Sequence, residues 1–215
     1  MRILLLSATA FEISPLLEDD RIKRSNQRIS TLITGAGLVP CTYNLTRKLT
    51  ASDFDLVIHA GIAGTFNRDW PLGKIVILSR DFFADTGARD KDGSFLTMNE
   101  LGLWDPNAPP FKEGYLHPLW PHTYPKAGLP EATGITVSTV SGHEPEISRI
   151  AARFQADVET METAAAMYVC ALEDIPLLSV RAISNYVEPR NKDTWDIPLA
   201  IKNLNDYLAD WISKL

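Results

Sequence analysis

Residues 56–64 of the chain read Leu56-Val57-Ile58-His59-Ala60-Gly61-Ile62-Ala63-Gly64. The first part, Leu56–Ala60, is continuously apolar rather than alternating, which is typical of a strand buried on both faces of a sheet. His59 within it is more typical of a hydrogen-bonded core histidine than of a ligand. The two glycines after the run predict a strand-to-helix turn. Such a turn could also cradle a phosphate, although the extended glycine motifs of nucleotide-binding loops are absent from it.

Five more apolar runs of this kind occur, and amphipathic stretches separate them. The predicted strands are Ile3–Leu6, Ile29–Thr34, Ile75–Leu78, Ile135–Val140 and Leu177–Ile183. The predicted helices are Leu38–Leu49, Glu146–Phe154, Glu162–Leu172 and Asp196–Ser213. Buried strands with helices between them predict a three-layer αβα domain of the α/β class, with a central twisted, mixed sheet.

One stretch departs from this pattern. Residues 104–130 contain seven of the 14 prolines together with Trp104 and Trp120. We therefore predict a single domain over residues 1–215, with a proline- and tryptophan-rich excursion from the sheet at about 104–130. Loops of this length usually serve as lids or assembly surfaces. An ordered surface loop around apolar anchors fits the composition equally well.

The composition excludes several classes of protein. The chain has 21 Lys+Arg against 27 Asp+Glu and a net charge of −6, so it lacks the basic excess of a nucleic-acid-binding protein. Its histidines and cysteines have no metal-ligand spacing, and we predict neither a metal nor a cofactor. The run Ile3–Leu6 is too short for the core of a secretion signal, and no stretch approaches the ~20 apolar residues of a membrane span. The sequence predicts a cytoplasmic protein without a membrane partner.

Three polar residues lie at predicted sheet ends, where ligands of open α/β sheets bind. Glu12 follows the first strand, Glu162 begins an alanine-rich helix, and Asn185 follows the last strand. Each also has a purely structural explanation. Acids in a first helical turn are favoured by the helix dipole, and asparagine is a common turn residue.

Seven short segments, taken in order, resemble the purine nucleoside phosphorylase and nucleosidase superfamily, specifically its nucleosidase branch. They are Ser7-Ala8-x-x-x-Glu12, Thr34-Gly35-Ala36-Gly37, Ala60-Gly61-Ile62-Ala63-Gly64, Leu72-Gly73-Lys74-Ile75-Val76, Val140-Ser141-Gly142, Met161-Glu162-x-Ala164 and Val180-Arg181-Ala182-Ile183-Ser184-Asn185. The resemblance implies an α/β nucleoside-binding fold that cleaves a purine N-ribosidic bond without metal or cofactor. It also implies a homo-oligomer, a dimer or higher.

The resemblance further implies roles by position. Glu12 matches the acid that activates the attacking water, and Glu162 matches the carboxylate that holds the ribose hydroxyls. Asn185 falls where adenine-specific nucleosidases carry an aspartate, so Glu12 and Asn185 are the catalytic residues that the resemblance implies. The substrate-binding positions implied in this way are Met161, Glu162, Ile62, Ser141 and Gly142.

Asn185 replaces the aspartate that adenine-specific nucleosidases carry at this position. An asparagine amide can donate to the O6 of a 6-oxopurine and accept from a protonated N7, whereas an aspartate would face O6 lone pair to lone pair. A mispaired polar group in a closed site costs about 10⁴–10⁵-fold in discrimination. The residue therefore predicts hypoxanthine or guanine as the base.

The resemblance also separates hydrolysis from phosphorolysis. Phosphorylases of the superfamily hold phosphate with an arginine soon after the first strand, but residues 8–17 contain none.

Residues 81–93 and 136–142 resemble the futalosine hydrolase group of the branch. This likeness implies hydrolysis of futalosine to hypoxanthine and dehypoxanthine futalosine in menaquinone biosynthesis. In residues 81–93, Phe82, Asp85 and Arg89 are either functional or structural. The cations that could meet the benzoate of futalosine are Arg80, Arg89 and Lys91.

Two alternatives remain open at this point. One is a different activity on the same fold, either a methylthioadenosine/adenosylhomocysteine nucleosidase or an inosine/guanosine phosphorylase. The other is a non-catalytic nucleoside-binding protein.

Overall fold

The computed structural model describes residues 1–121 and 127–215. The strands are β1 (Arg2–Ser7), β2 (Arg28–Ile33), β3 (Leu56–Thr65), β4 (Ile75–Arg80), β5 (Gly87–Arg89), β6 (Phe95–Thr97), β7 (Phe111–Lys112), β8 (Tyr115–Leu116), β9 (Glu131–Thr136), β10 (Val158–Thr160) and β11 (Leu177–Tyr186). The helices are α1 (Ala10–Glu18), α2 (Asp20–Lys23), α3 (Leu38–Ala51), α4 (Glu144–Phe154), α5 (Thr163–Leu172) and α6 (Ile197–Ile212), and Lys192–Thr194 form a 3₁₀ turn.

The main sheet has seven strands in the order β10-β9-β4-β11-β3-β1-β2. It is mixed, because β4 runs antiparallel to β11 while β1 and β11 both run parallel to β3. The long strand β3 pairs with β1 through its first half and with β10 through its end, where Gly64 lies opposite Glu159. The pairing of β10 with β3 closes part of the sheet into a ring.

Helices cover both faces of the sheet. On one face, α3 and α5 contribute buried side chains such as Leu45 and Met167 to the core. On the other face, α1 and α6 contribute Ile13, Leu16 and Leu204. The predicted α/β fold with a mixed sheet between helices is confirmed.

The structure corrects the predicted strand ends, and the corrections matter for the site. Residues 61–64 are not a strand-to-helix turn, because β3 continues through them to Thr65. β11 likewise continues to Tyr186, so Asn185 lies within the strand rather than after it. β9 ends at Thr136, before the predicted Val140, because the backbone N–H groups of Ser138 and Thr139 donate to the carboxylate of Asp85 instead of to a neighbouring strand.

The proline-rich excursion contains a small hairpin formed by β7 and β8. Its aromatic side chains pack against the sheet: Trp104 stacks on Phe111 at 5.3 Å and meets Phe83 edge-on at 5.6 Å. Residues 122–126 of the predicted excursion lie outside the described residues. Within the described ranges, no helix combines the length and apolarity needed to cross a membrane.

Asp81 is fully buried at the end of β4. Its Oδ1 accepts from the Thr136 hydroxyl at 2.7 Å, while Oδ2 has no hydrogen-bond partner among the described residues. Burial raises the pKa of this carboxyl to about 7. The folded protein therefore keeps a proton that the unfolded chain releases near pH 4.

We expect the free energy of unfolding to fall as the pH rises from about 4 to about 7, because in this range the unfolded chain has released the proton and the folded protein still holds it. Asp81→Asn removes the ionisation and flattens that part of the profile, an effect of up to about 4 kcal/mol for a shift of about three pH units. Urea denaturation at pH 5 and pH 8 measures it, with the exposed Asp210→Asn as the control. Parallel profiles for Asp81→Asn and the parent would contradict the assignment.

Candidate active site

A cavity of about 330 Å³ lies where the ends of β3, β10 and β11 meet the beginning of α1 and α5. Six of the seven predicted site residues line it, and these are Glu12, Ile62, Ser141, Met161, Glu162 and Asn185. The seventh, Gly142, is outside the lining but next to it, because its carbonyl accepts from the backbone N–H of Arg190 at 3.2 Å and Arg190 lines the cavity.

Glu12 is held in a fixed position by the start of α1. Its Oε2 accepts from the Ser7 hydroxyl at 3.0 Å and from the N–H and hydroxyl of Thr9 at 2.9 and 2.7 Å. Its Oε1 accepts only the Ile62 N–H, at 3.2 Å, among the described residues. One carboxylate oxygen is therefore saturated with donors, and the other keeps a lone pair for a ligand or a water proton.

Gly61 lies beneath this carboxylate. A Cβ at this position would lie 3.1 Å from Oε1 of Glu12 and 3.6 Å from Cζ of Arg181. The Arg181 side chain is buried and donates to the carbonyls of His59 and Val180, both at 2.8 Å, and to the Thr163 hydroxyl at 2.9 Å. Glycine thus allows a fixed, buried cation to approach the floor of the site.

His59 has the core role that its strand predicted. It is buried, and a ring nitrogen lies 2.8 Å from the Arg181 guanidinium. Burial, together with the charge of Arg181, lowers the pKa of this histidine well below its ordinary value. The imidazole is neutral and takes no part in lining the cavity.

Glu162 is the N-cap residue of α5 and reaches across to the beginning of α3, where its Oε1 accepts the Gly37 N–H at 2.7 Å. Gly37 has φ +99, a conformation that is strained for residues with a Cβ. Burial raises the pKa of Glu162, while the Gly37 N–H and the charge of Arg181 favour its anion. Glu12 and Glu162 are thus two carboxyl groups in one cavity, within the field of one buried cation.

Asn185 has a fixed amide orientation. The Ser184 hydroxyl donates to its Oδ1 at 2.8 Å, and its Nδ2 donates to the Tyr186 carbonyl at 3.0 Å. One N–H and one lone pair of the amide remain for a ligand. The strand register places Gly64 directly beside Asn185, and a Cβ on Gly64 would lie 3.0 Å from Nδ2.

The sequence analysis missed Glu159, which lines the cavity on the other side of Gly64 from Asn185. Its carboxyl group is buried and accepts from the Ser141 N–H at 2.9 Å and from the Ser141 hydroxyl at 2.6 Å. Burial raises its pKa. β10 is only three residues long, too short for any periodicity, and the one available signal was a charged residue two positions before Met161.

Arg190 and Trp195, at the cavity mouth, were also missed. The guanidinium lies over the indole ring, 5.4 Å from its centroid. In the part of the chain that the structure describes, Arg190 forms no ion pair. Both residues belong to an irregular segment after β11 in which no sequence pattern marks a function.

The cations and aromatic residues singled out in residues 80–91 do not line this cavity. Arg89 pairs with Glu146 at 3.4 Å, and Arg80 lies over the Tyr115 ring at 4.5 Å. The others are Lys91, which is exposed, Phe82, which packs against Phe154, and Asp85, which holds the loop before Ser141. Nowhere in residues 1–121 and 127–215 do three His, Cys, Asp or Glu side chains come together to hold a metal ion.

Residues 21–212 match the family model described as the phosphorylase superfamily. The chain belongs to the phosphorylase superfamily.

Two relatives of this chain are both futalosine hydrolases. The chain is 33% identical over 160 residues to a futalosine hydrolase from Streptomyces coelicolor, which covers 74% of this chain and 65% of that protein. It is 31% identical over 184 residues to a futalosine hydrolase from Acidothermus cellulolyticus, covering 83% and 72%. The chain thus spans less than two thirds of the length of the first relative.

The superfamily fold extends over the whole chain. A solved structure of the 5'-methylthioadenosine/S-adenosylhomocysteine nucleosidase from Neisseria meningitidis, in complex with methylthio-immucillin-A, superposes with a TM-score of 0.80. The match covers 100% of this chain and 99% of that one at 16% identity. At this identity the likeness establishes the fold.

Proposed function

We propose that the protein hydrolyses the N-ribosidic bond of futalosine, releasing hypoxanthine and dehypoxanthine futalosine in menaquinone biosynthesis. The observation that carries the proposal is the fixed Asn185 amide in the same cavity as Glu12 and Glu162. The likeness to two futalosine hydrolases supports the choice of substrate.

The proposed reaction uses the two carboxylates in different ways. As the C1′–N9 bond breaks, positive charge develops on the ribose, and Glu162 stabilises it by accepting from a ribose hydroxyl. A water oxygen bonds to C1′ while Glu12 takes its proton on Oε1. The departing base keeps the electron pair of the broken bond and takes a proton from solvent water at N7. Glu12 afterwards returns its proton to solvent, so that one water is consumed in total.

The base is recognised from two sides of Gly64. Asn185 donates to O6 of hypoxanthine and accepts from the protonated N7. Glu159 supplies an acceptor on the opposite side, which suits the N1–H of a 6-oxopurine and not the N1 lone pair of adenine. This pairing of polar groups favours hypoxanthine over adenine.

The cavity mouth suits the benzoate of futalosine. Trp195 offers an aromatic face, and the Arg190 guanidinium above it can form a bidentate, charge-assisted pair with a carboxylate. Because Arg80 and Arg89 lie outside the cavity lining, Arg190 is the better-placed cation.

We expect Arg190→Gln to raise KM for futalosine about tenfold or more, the usual effect of losing a hydrogen bond between charged groups. The value of kcat stays near that of the parent, and inosine, which lacks the benzoate, is cleaved as before. Steady-state kinetics with both substrates tests this, with Lys192→Gln in the same exposed segment as the control. An equal increase in KM for inosine would show that Arg190 does not bind the benzoate.

The function is tested by base release in phosphate-free buffer with futalosine, inosine and methylthioadenosine, repeated with phosphate. We expect rapid hypoxanthine release from futalosine, unchanged by phosphate. A requirement for phosphate would indicate a phosphorylase. Adenine release would contradict the role of Asn185, and no release from any substrate would favour a non-catalytic nucleoside-binding protein.

We also propose that the protein is a homodimer through the faces of α1 and α3. Phe11, Val39 and Tyr43 are 53%, 80% and 60% exposed on these helices, and Phe11 lines the cavity. Val39 and Tyr43 lie about one turn apart on α3, and exposed large apolar side chains favour association. That the protein acts in the cytoplasm remains a prediction.

Val39→Asp is expected to convert the dimer to a monomer, since it places a charge in the proposed interface. Sedimentation velocity measures the change. Leu103→Asp is the matched control, because Leu103 is also a strongly exposed apolar residue, 65% exposed, but belongs to neither α1 nor α3. A parent protein that sediments as a monomer would contradict the proposal.

A further inference from the structure

The helix that carries Glu12 contains a proline in its interior. Pro15 of α1 has no backbone N–H, so the helical hydrogen bond to the Phe11 carbonyl cannot form. Its ring also crowds the preceding turn, which opens the helix at this point. The opened turn lies directly after Glu12.

A side chain from α6 bridges the opened turn. Asn205 accepts the Leu16 N–H on Oδ1 at 2.9 Å and donates from Nδ2 to the Glu12 carbonyl at 2.8 Å. In a regular α-helix this N–H and this carbonyl bond each other directly. The amide of Asn205 therefore replaces one step of the helical hydrogen-bond ladder.

Burial makes this bridge important. Asn205 is 4% exposed, and its second Nδ2–H donates to the Ile201 carbonyl of its own helix at 2.6 Å. The side chain is thus fixed by α6 at one end and holds the backbone of Glu12 at the other. A buried donor and acceptor that are left without such a partner destabilise the folded state. The backbone is therefore expected to shift until both groups find other partners.

We propose that Asn205 is a positioning residue for Glu12. It does not line the cavity. By holding the Glu12 carbonyl it fixes the height of the Glu12 Cα above β1, and so keeps the carboxylate against the Ser7, Thr9 and Ile62 donors. The inference rests on the proposed role of Glu12 as the base that activates water.

The test is a double-mutant cycle between Pro15 and Asn205. Asn205→Leu keeps the side-chain volume and removes the amide, and we expect kcat to fall about 10–100-fold with little change in KM, as for a catalytic group displaced by about 1 Å. Pro15→Ala restores an N–H and removes the ring, so the helix can close by itself. In the Asn205→Leu background it should return kcat to within about threefold of Pro15→Ala alone.

Asn203→Leu is the matched control on the same helix, because it removes a different bridging amide, the one that donates to the Gly73 carbonyl at 2.9 Å. It is expected to lower the melting temperature but not kcat. If Asn205→Leu does not fold, Asn205→Asp keeps the acceptor for Leu16 and removes the Nδ2 donors to the Glu12 and Ile201 carbonyls. A loss of stability without a change in kcat, or a failure of Pro15→Ala to restore kcat, would overturn the proposal.

A spectroscopic readout separates this inference from the proposed function. The carboxyl-carbon NMR signal of Glu12, assigned by its absence in Glu12→Gln, should move in Asn205→Leu and return in the double variant. If it does so while Glu12→Gln remains active, Asn205 positions Glu12 but Glu12 is not the base. An unmoved signal would show that Asn205 does not position Glu12.

Discussion

Glu12→Gln is expected to lower kcat for futalosine by about 10²–10⁴-fold, the usual contribution of a positioned general base. The amide has nearly the same shape but cannot take a proton from water. The new NH₂ group would also face groups that are themselves donors, since Ser7, Thr9 and Ile62 all donate to the Glu12 carboxylate. Hypoxanthine binding should stay within a few-fold of the parent, because the proposed base contacts of Asn185 and Glu159 are unchanged.

Single-turnover kinetics and calorimetric titration with hypoxanthine measure the two effects separately. Glu18→Gln is the control, because Glu18 is an exposed glutamate at the other end of α1. Equal rates for Glu12→Gln and the parent would remove Glu12 from the reaction.

The second large effect is expected at the base. Asn185→Asp replaces the Nδ2 donor with a carboxylate oxygen that faces O6 of hypoxanthine. Hypoxanthine release should fall in kcat/KM by on the order of 10²-fold or more, since a buried charged group is left against a lone pair. The carboxylate can instead accept from the amino group of adenine, so the preference between the two bases moves toward adenine.

The ratio of kcat/KM for inosine and adenosine analogues in parent and variant measures this change. Asn107→Asp is the control for the added charge, because Asn107 is exposed and accepts the Glu113 N–H through an oxygen that aspartate retains. An unchanged or faster release of hypoxanthine would refute this account of base recognition.

The sequence predicts most of the sheet because its central strands are continuous apolar runs, such as Leu56–Ala60. It also predicts where the candidate site lies, since Glu12 and Asn185 stand close to the ends of such runs and Glu162 begins a predicted helix. The lengths of β3 and β11 were underestimated, because glycines and asparagine usually end strands. Here Gly61 and Gly64 continue the strand and leave room for the side chains of Glu12 and Asn185.

Other features depend on contacts that no local pattern records. α1 was not predicted, because Pro15 interrupts it and the compensating amide comes from Asn205, 190 residues further along the chain. Glu159 is significant only because β10 pairs with β3, which brings it beside Gly64. Arg190 becomes informative only when it is seen over Trp195 at the mouth of the cavity.

The closure of the sheet by β10 also bears on how the chain folds. Gly64 and Glu159 are 95 positions apart (159 − 64), and the short strand β10 pairs with β9 on one side and with the end of β3 on the other. Contacts between residues so distant in sequence incur a large loop-closure entropy and form late. The segment carrying Glu159, Met161 and Glu162 is therefore expected to dock only once β9 and β3, its two partner strands, are in place. Ligand-binding competence should appear only after the bulk of the sheet has assembled.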